Sequence, residues 1–168
     1  MAQNKEATKD CIFTALILLM GQKEYKYITV TDIARKAGVS RMTYYRTYSS
    51  KEDILIQHFR KTAQAMIPED GQDIESALCS FFAWFQKNSG LTKLLEDACL
   101  MGLLVDCFSV FTDYLYCTLH PEAAENSGQD YAAHFQTGGL FSILTHHLGS
   151  GAAESPEEMA AITLKIMM

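Results

Sequence analysis

The stretch from residue 29 to residue 55 restricts the fold most, because it combines three helix starts with one glycine turn. Thr29, Ser40 and Ser50 carry hydroxyls that can accept a hydrogen bond from the first turn of a following helix, which is the chemistry of an N-cap. Gly38 lies between the first two caps and adopts a positive φ at little cost, so the chain can turn sharply there. Two short helices joined by a glycine turn form a helix-turn-helix, the motif that places its second helix in the DNA major groove.

The second helix of this motif is predicted over residues 41–47, and the spacing of its side chains separates two faces. Val39, Tyr44 and Tyr48 are placed inward, which leaves the other side chains toward solvent or DNA. Arginines present a planar fork that matches guanine O6 and N7, and hydroxyls suit phosphate oxygens or base edges. Ordinary solvated charges are the alternative interpretation of the arginines. The outward set is Arg41, Met42, Thr43, Tyr45, Arg46 and Thr47, and Lys51 adds a point charge at the first turn of the next helix.

Residues 29–54 also resemble the TetR-type bacterial repressors. The shared pattern is Thr-x-x-x-Ile-Ala-x-x-Ala-Gly-Val-Ser-x-x-Thr-x-Tyr-x-x-Tyr-x-Ser-Lys-Glu-x-Ile. The resemblance implies an all-helical homodimer with an N-terminal DNA-binding domain and a C-terminal domain for dimerisation and ligand binding. In the family, positions matching Thr29, Tyr45 and Lys51 bind phosphates, and those matching Thr31, Arg41, Met42, Thr43 and Arg46 face the groove. Thr31 stands where some relatives carry a base-reading arginine, so we expect fewer bases to be read from the first helix.

The chain is predicted to form two helical domains, and because no strand-like alternation occurs, the predicted fold class is all-α. The DNA-binding domain, here called the head, covers residues 1–50. The regulatory and dimerisation domain, here called the body, covers residues 51–168. A helix over 51–66 links the two, and the segment from Pro68 to Gly71 breaks it. In the head, a helix over about 7–20 should pack across the motif, after a frayed segment over 1–6.

The body is predicted to contain five further helices. Residues 101–119 are apolar almost all round, which indicates one buried helix. Residues 88–90 are predicted to be a stop and residues 121–128 an acidic loop. Ser155, Pro156 and Glu158 together form a strong helix start signal, with a cap, a proline at the first position and a glutamate at the third. The predicted helices cover 73–87, 91–100, 101–119, 131–148 and 157–167.

Aromatic and sulfur-containing residues are concentrated over 73–119, and the sequence supports two interpretations of them equally. Such residues are the material of a plain core, and they are equally the material of an apolar pocket between helices. The candidate pocket residues are Phe82, Trp84, Phe85, Met101, Phe108, Phe111 and Tyr114.

Two helices at the end of the chain are natural dimerisation elements. Paired glycines inside the first of them cost about 1 kcal/mol each, and close approach of another backbone is one reason to keep them. An intramolecular glycine contact is the alternative. The stretch from residue 131 and the Ser-Pro-Glu-Glu start resemble a Gram-positive subgroup of the same regulators, in which the last two helices pair in a four-helix bundle. The predicted interface residues are Phe135, Gly138, Gly139, Ser142, Ile162 and Ile166.

Charge is divided unevenly, with a net charge of +4 in residues 1–60 and −10 in residues 61–168. A basic head is attracted to DNA while an acidic body is repelled from it, although uneven charge also arises by chance. Five scattered cysteines favour a reduced protein over a disulfide-stabilised one. The apolar run over 11–20 is shorter than the roughly 20 residues that span a bilayer. We therefore expect a cytoplasmic protein with no membrane partner, and the resemblance to TetR-type repressors implies a bacterial, nucleoid-associated one.

Metal and catalytic constellations were sought and discounted. Cys117 and His120 have a spacing found in metal sites, and His146 and His147 follow, but no CxxC or HxxxH pattern accompanies them. A Cys–His catalytic pair lacks an orienting partner and an oxyanion signal. We predict no metal, no cofactor and no catalytic residue.

The sequence therefore predicts a sequence-specific DNA-binding transcriptional regulator that is not an enzyme. We expect a repressor that binds a two-fold double-stranded operator as a homodimer and is released by a small apolar ligand in the body. The alternative is a TetR-like DNA binder whose body is controlled by a protein partner, which a solid core without a cavity would favour. A helical enzyme is the rival from another class, and it needs a catalytic pair that the sequence lacks.

Overall fold

The computed structural model describes residues 2–69, 73–123 and 129–168, with side chains for 5–69, 73–122 and 131–168. Over these ranges the chain forms ten α-helices, two single turns of 3-10 helix and no strand, which confirms the predicted all-α fold class. The 3-10 turns are Tyr25–Tyr27 and Pro121–Ala123. The helices are α1 (Ala2–Met20), α2 (Val30–Ala37), α3 (Arg41–Thr47), α4 (Lys51–Ala65), α5 (Ile74–Lys87), α6 (Ser89–Asp97), α7 (Met101–Cys107), α8 (Ser109–Leu119), α9 (Gln129–Gly149) and α10 (Pro156–Met167).

The head is built on α1, which packs across α2 and against α4. Its centre consists of fully buried side chains from four helices, namely Ile12, Leu16, Ile33, Tyr44 and Leu55. The frayed segment predicted over 1–6 is wrong for residues 2–6, because α1 already begins at Ala2. Glu6 in these added turns forms an ion pair with Lys61 of α4 at 3.3 Å, so the early part of α1 runs beside α4.

Each predicted helix cap is present and explains where its helix begins. The Asp32 amide donates to the Thr29 hydroxyl at 3.2 Å, and the Thr29 amide donates to the Asp32 carboxylate at 3.1 Å, which completes a capping box. Ser40 and Ser50 each accept a hydrogen bond from the amide three residues on. Ser155 and Glu158 form a second complete box at the start of α10.

One helix, α4, contacts both parts of the chain. It packs against α1 in the head and against α7 and α8 in the body. The last residue of α4 is Ala65, one residue before the predicted end at 66, and Met66 is its C-cap. The predicted break over 68–71 lies partly outside the described residues. A movement of α4 would therefore displace its contacts in both the head and the body.

The body is a bundle in which α10 packs along α5, and aromatic rings fill the space between α5, α8 and α9. Phe81 of α5 stacks on Phe111 at a centroid distance of 5.4 Å and meets the edge of Phe141 at 5.8 Å. A buried hydrogen bond of 2.7 Å from the Thr137 hydroxyl to the Thr112 hydroxyl joins α9 to α8.

The single buried helix predicted over 101–119 is wrong, because α7 and α8 meet at Phe108 with a bend of 48°. Neither glycine nor proline stands at this junction. Phe108 is fully buried, and its ring lies 5.2 Å from that of Phe85 and 5.9 Å from that of Phe141. Packing of this ring against α5 and α9 therefore fixes the bend. No single helix of the described chain is long and apolar enough to cross a membrane; only the bent pair passes by length and composition.

Two boundaries in the body also differ from the prediction. The stop expected over 88–90 is only one residue long, because Asn88 ends α5 and α6 begins at Ser89. The helix predicted over 91–100 ends at Asp97, and Cys99 beyond it adopts a positive φ of 57°. Of the loop predicted over 121–128, residues 121–123 form a 3-10 turn and the rest lies outside the described residues.

Candidate nucleic-acid interface

The local sequence fixes the position of α3. Gly38 ends α2 with a φ of +70°, and its amide donates to the carbonyls of Ala34 and Arg35. Ser40 then starts α3, which ends at Tyr48 in extended conformation. The short helix α3 is thus preceded by a left-handed glycine turn and followed by an extended tyrosine, the order of elements in a helix-turn-helix.

Two tyrosines fasten α3 to the head, as their spacing predicts. Tyr44 is fully buried and Tyr48 is 4% exposed, and their rings lie 6.0 Å apart. The Tyr44 hydroxyl is buried without a hydrogen-bond partner. Burial, with the nearby Glu52 carboxylate next, raises the pKa of Tyr44 to about 12. This hydroxyl is therefore a neutral, unsatisfied group beneath the helix.

The opposite side of α3 is open to solvent. Met42 is 66% exposed and Tyr45 is 62% exposed, and both Arg41 and Arg46 are exposed. Tyr45 is supported from beneath by the edge of Tyr44, with centroids 5.4 Å apart. Neither guanidinium forms an ion pair with a carboxylate of the described chain, so both forks are available to an external acceptor.

Some hydroxyls of the predicted threonines already form hydrogen bonds within the helix-turn-helix. Thr43 is hydrogen-bonded to Ser40 through side-chain oxygens 3.0 Å apart, and the Thr47 hydroxyl donates to the Thr43 carbonyl at 3.0 Å. Thr31 is exposed on α2. Thr29 is exposed as well, and its hydroxyl donates to the Asp32 carboxylate at 2.8 Å.

Lys51 does not point freely into solvent. Its Nζ donates to the carbonyl of Tyr25 at 2.7 Å and to the carbonyl of Ile28 at 3.4 Å. The same Nζ lies 4.1 Å from the centroid of the Tyr25 ring. The neighbouring residue Glu52 accepts a hydrogen bond of 2.9 Å from the Tyr25 hydroxyl. We call Tyr25, Lys51 and Glu52 the Tyr25 clasp.

The local sequence does not predict the Tyr25 clasp. Lys51 and Glu52 lie 26 and 27 residues after Tyr25 in the sequence, so no short-range pattern connects them with it. Burial, followed by the hydrogen bond to Glu52, raises the pKa of Tyr25 well above its ordinary value of 10.0. The Tyr25 hydroxyl consequently stays protonated and remains a donor.

The structure brings the core members of the predicted ligand pocket together as a packed ring cluster. Phe82, Phe85, Phe108 and Phe111 are at most 1% exposed. Trp84 lines a crevice of about 420 Å³ together with His58, on the side of α4. Met101 lines a separate crevice of about 370 Å³, and Tyr114 is partly buried beside Phe111 at 6.5 Å. The pocket therefore remains a prediction, and in this conformation rings occupy its centre.

The predicted dimer residues lie on one exposed surface of α9 and α10. Phe135 is 85% exposed, Ile166 is 65% exposed and Ile162 is 44% exposed. A Cβ placed on either Gly138 or Gly139 would meet nothing within 4 Å, so no contact inside the described chain requires these glycines. We call this surface the α9–α10 face, with the residues Phe135, Gly138, Gly139, Ser142, Ile162 and Ile166.

Among the described residues, no group of three or more His, Cys, Asp or Glu side chains is arranged to hold a metal ion. His147 is buried and its Nδ1 lies 3.2 Å from the Glu154 carboxylate, which links the end of α9 to the following loop.

The family profile described as bacterial regulatory proteins, tetR family, matches residues 12–57, which span the helix-turn-helix and its supports. Residues 12–57 are therefore similar to the DNA-binding segment of that family. The second helix of a helix-turn-helix is the one that enters the DNA major groove, and here that helix is α3 with its solvent-exposed outer side.

One curated relative and two solved structures are similar to this chain. The uncharacterised HTH-type transcriptional regulator YxbF of Bacillus subtilis strain 168 is 22% identical over 95% of this chain and 44% of its own length, so the chain spans less than half of that curated relative. A TetR regulator from Streptococcus agalactiae 2603V has a TM-score of 0.71 at 23% identity, covering 99% of this chain and 96% of its own. FadR of Bacillus subtilis, solved with stearoyl-CoA, has a TM-score of 0.60 at 18% identity, covering 94% and 96%. At these identities the structures show a shared fold.

Proposed function

We propose that this TetR-family regulator represses transcription by binding a two-fold operator as a homodimer, and that a small apolar ligand in the body releases it. The single observation that carries the proposal is the two-sided character of α3. Its inner tyrosines are buried, and its outer side presents two unpaired guanidinium groups and an exposed phenol. The proposed division is a head over 1–50 and a body over 51–168, linked by α4.

Within this proposal the outward residues of the helix-turn-helix contact different parts of the DNA. Arg41 and Arg46 carry the fork that suits guanine edges, and Met42 offers an apolar contact to a thymine methyl group. Tyr45 is suited to a phosphate, and Thr29, Thr31, Thr43 and Thr47 are suited to phosphates or base edges. The hydroxyls of Thr29 and Thr47 already donate within the motif, so each must give up that hydrogen bond to donate to a phosphate, and can otherwise only accept from a donor on a base edge.

The α9–α10 face supports the proposed homodimer. Apolar side chains that are exposed together commonly mark an interaction surface. A groove of about 270 Å³ lies beside Phe135 and is lined by Leu140, Ile143 and Ile166, which provides room for a side chain of a second copy. Two heads related by a two-fold axis can occupy half-sites about 34–36 Å apart.

A test of DNA recognition starts with duplexes selected from a random pool by the purified chain. We expect a palindromic site whose affinity falls steeply with salt. Arg41→Ala should weaken binding to this site by about 1–3 kcal/mol per head and relax preference at one base pair. Arg60→Ala is the matched control, because Arg60 is exposed on α4 away from α3. Equal losses for both variants on selected and random DNA would refute base reading by Arg41.

The ligand class is taken from the structural neighbour solved with stearoyl-CoA. An acyl chain matches the aromatic composition of the body, although the rings in the present conformation would have to separate to admit it. Stearoyl-CoA and free stearate, titrated separately against the protein–operator complex, test this. Release by either one, together with restored promoter activity in a reporter assay, supports a ligand-released repressor. Retention of DNA with both probes would favour control by a protein partner, and activation of the reporter would overturn repression.

A further inference from the structure

We propose that the crevice where α1, α4 and α5 meet is a binding site for an organic cation with a flat apolar body, such as a benzylic ammonium. We call it the Trp84 crevice. This site is separate from the apolar ligand proposed for the body, and binding to it does not require DNA. The crevice has a volume of about 420 Å³, and its lining includes Asp10, His58, Lys61, Ala65, Met66 and Trp84.

The Trp84 crevice is open in the conformation described, whereas packed rings fill the centre of the body. One stripe of α4, with residues three and four positions apart, forms its floor, while α1 borders one side and α5 the other. Its volume lies within the roughly 300–1,000 Å³ that small-molecule sites usually have. An occupant would therefore contact the head, the linking helix and the body at once, and no buried ring would have to move to admit it.

Aromatic side chains form the walls of the Trp84 crevice. The ring of Trp84 packs against that of Phe85 at a centroid distance of 4.8 Å but is only half-buried, so part of the indole faces the crevice. The His58 ring stacks on Phe13 at 3.5 Å with an interplanar angle of 9°. A flat apolar body packs well against such rings, and tryptophan attracts a cation more strongly than any other aromatic side chain.

The charges around the Trp84 crevice favour a cation. Lys61 forms an ion pair with Glu6 at 3.3 Å, so its charge is offset. The exposed Asp10 forms no ion pair with any residue whose side chain the structure describes. Burial lowers the pKa of His58 below its ordinary 6.5, Asp10 opposes this change and Lys61 adds to it, so the ring is neutral at neutral pH. One unpaired carboxylate remains, and it attracts a positive charge.

Trp84 is the only tryptophan of the chain, so its fluorescence emission reports directly on this crevice. We expect benzyltrimethylammonium, titrated into the full chain without DNA, to change the emission saturably with a Kd below about 1 mM. The matched anionic probe phenylacetate should bind at least about tenfold more weakly, because Asp10 repels it. Added salt should weaken binding of the cation.

Two variants connect binding to the Trp84 crevice. Asp10→Asn keeps the shape and removes the charge, so it should weaken binding of the cation about fivefold. Asp106→Asn is the matched control, because Asp106 is an exposed carboxylate on α7 outside the crevice, and it should leave binding unchanged. Ala65→Leu adds side-chain volume at the crevice and should abolish the change in emission. Asp10 and Ala65 are both exposed on helices, and circular dichroism verifies that each variant is folded.

The outcomes separate this site from the proposed function. Saturable binding of the cation that Asp10→Asn weakens and Ala65→Leu abolishes supports the site. No saturable change in emission up to about 10 mM cation, equal affinity for phenylacetate, or unchanged affinity in Asp10→Asn overturns it. A chain that binds the cation but no duplex keeps the site and loses the proposed function, whereas a chain that binds its operator but not the cation loses only the site.

Discussion

Phe135 provides a quantitative test of the proposed homodimer. A phenylalanine offers roughly 200 Å² of surface, and this one is 85% exposed on the α9–α10 face. Roughly 170 Å² per protomer is therefore available, worth about 4 kcal/mol at 25 cal/mol per Å² if it is fully buried. Association costs and incomplete burial reduce this, and realising about half leaves about 2 kcal/mol per protomer. Because a two-fold interface contains the ring twice, Phe135→Ala should weaken the dimer by about 4 kcal/mol, or roughly a thousandfold.

Sedimentation equilibrium over a range of protein concentrations measures this constant directly. Leu18→Ala is the matched control, because Leu18 is 50% exposed on α1 and lies outside the α9–α10 face. That substitution should leave the dimer constant unchanged. In a DNA-binding assay at nanomolar protein, Phe135→Ala should convert two-fold operator binding into weak half-site binding, since one head supplies only half of the contacts.

Two results would refute the reasoning. A chain that stays monomeric at about 100 µM would leave the α9–α10 face without a second copy and would refute the proposed homodimer. A Phe135→Ala dimer within tenfold of the original would show that the ring stays in solvent, and that the interface lies elsewhere.

Two further predictions concern the head. Tyr44→Phe removes a buried hydroxyl that has no hydrogen-bond partner, so it should raise the free energy of unfolding, measured in urea, by about 1 kcal/mol. The control Tyr48→Phe should change that free energy by less than about 0.5 kcal/mol. A loss of stability in Tyr44→Phe would contradict the burial argument. The bond from Lys23, and then the bonds from Thr29, lower the pKa of Asp32 below its ordinary 3.8. Ionised Asp32 therefore stabilises the head at pH values above 3.8. The stability difference between the unaltered chain and Asp32→Asn should stay constant from about pH 7 to about pH 5 and shrink as the pH falls below about 4. A difference that grows on acidification would reverse the assigned sign.

Much of the head could be predicted because its determinants are local. A cap and the residue three positions later identify each start, and Gly38 identifies the turn, so the bounds of α3 agree with the prediction. The inward placement of Tyr44 and Tyr48 follows from helical spacing alone. Such features need no knowledge of any distant residue.

The bend between α7 and α8 could not be predicted in this way. Residues 101–119 contain no breaker at the junction, and their apolar character is as compatible with one helix as with two. Phe108 decides the outcome by inserting between α5 and α9, and those partners lie more than 20 residues away on both sides. Composition identified a buried segment, while its direction depended on tertiary packing.

Lys51 illustrates the same limit at a functional residue. Residue type and motif position predict a phosphate contact, because a lysine beside a helix N-terminus suits an anion. The partners that it has in the folded head are carbonyls and a ring brought close by the path of the chain between α1 and α2. A long flexible side chain can satisfy its charge in more than one direction, so residue type and motif position alone do not determine which acceptors it contacts. Arg41 and Arg46 have no such acceptors in the described chain, and the same motif argument consequently applies to them with greater force.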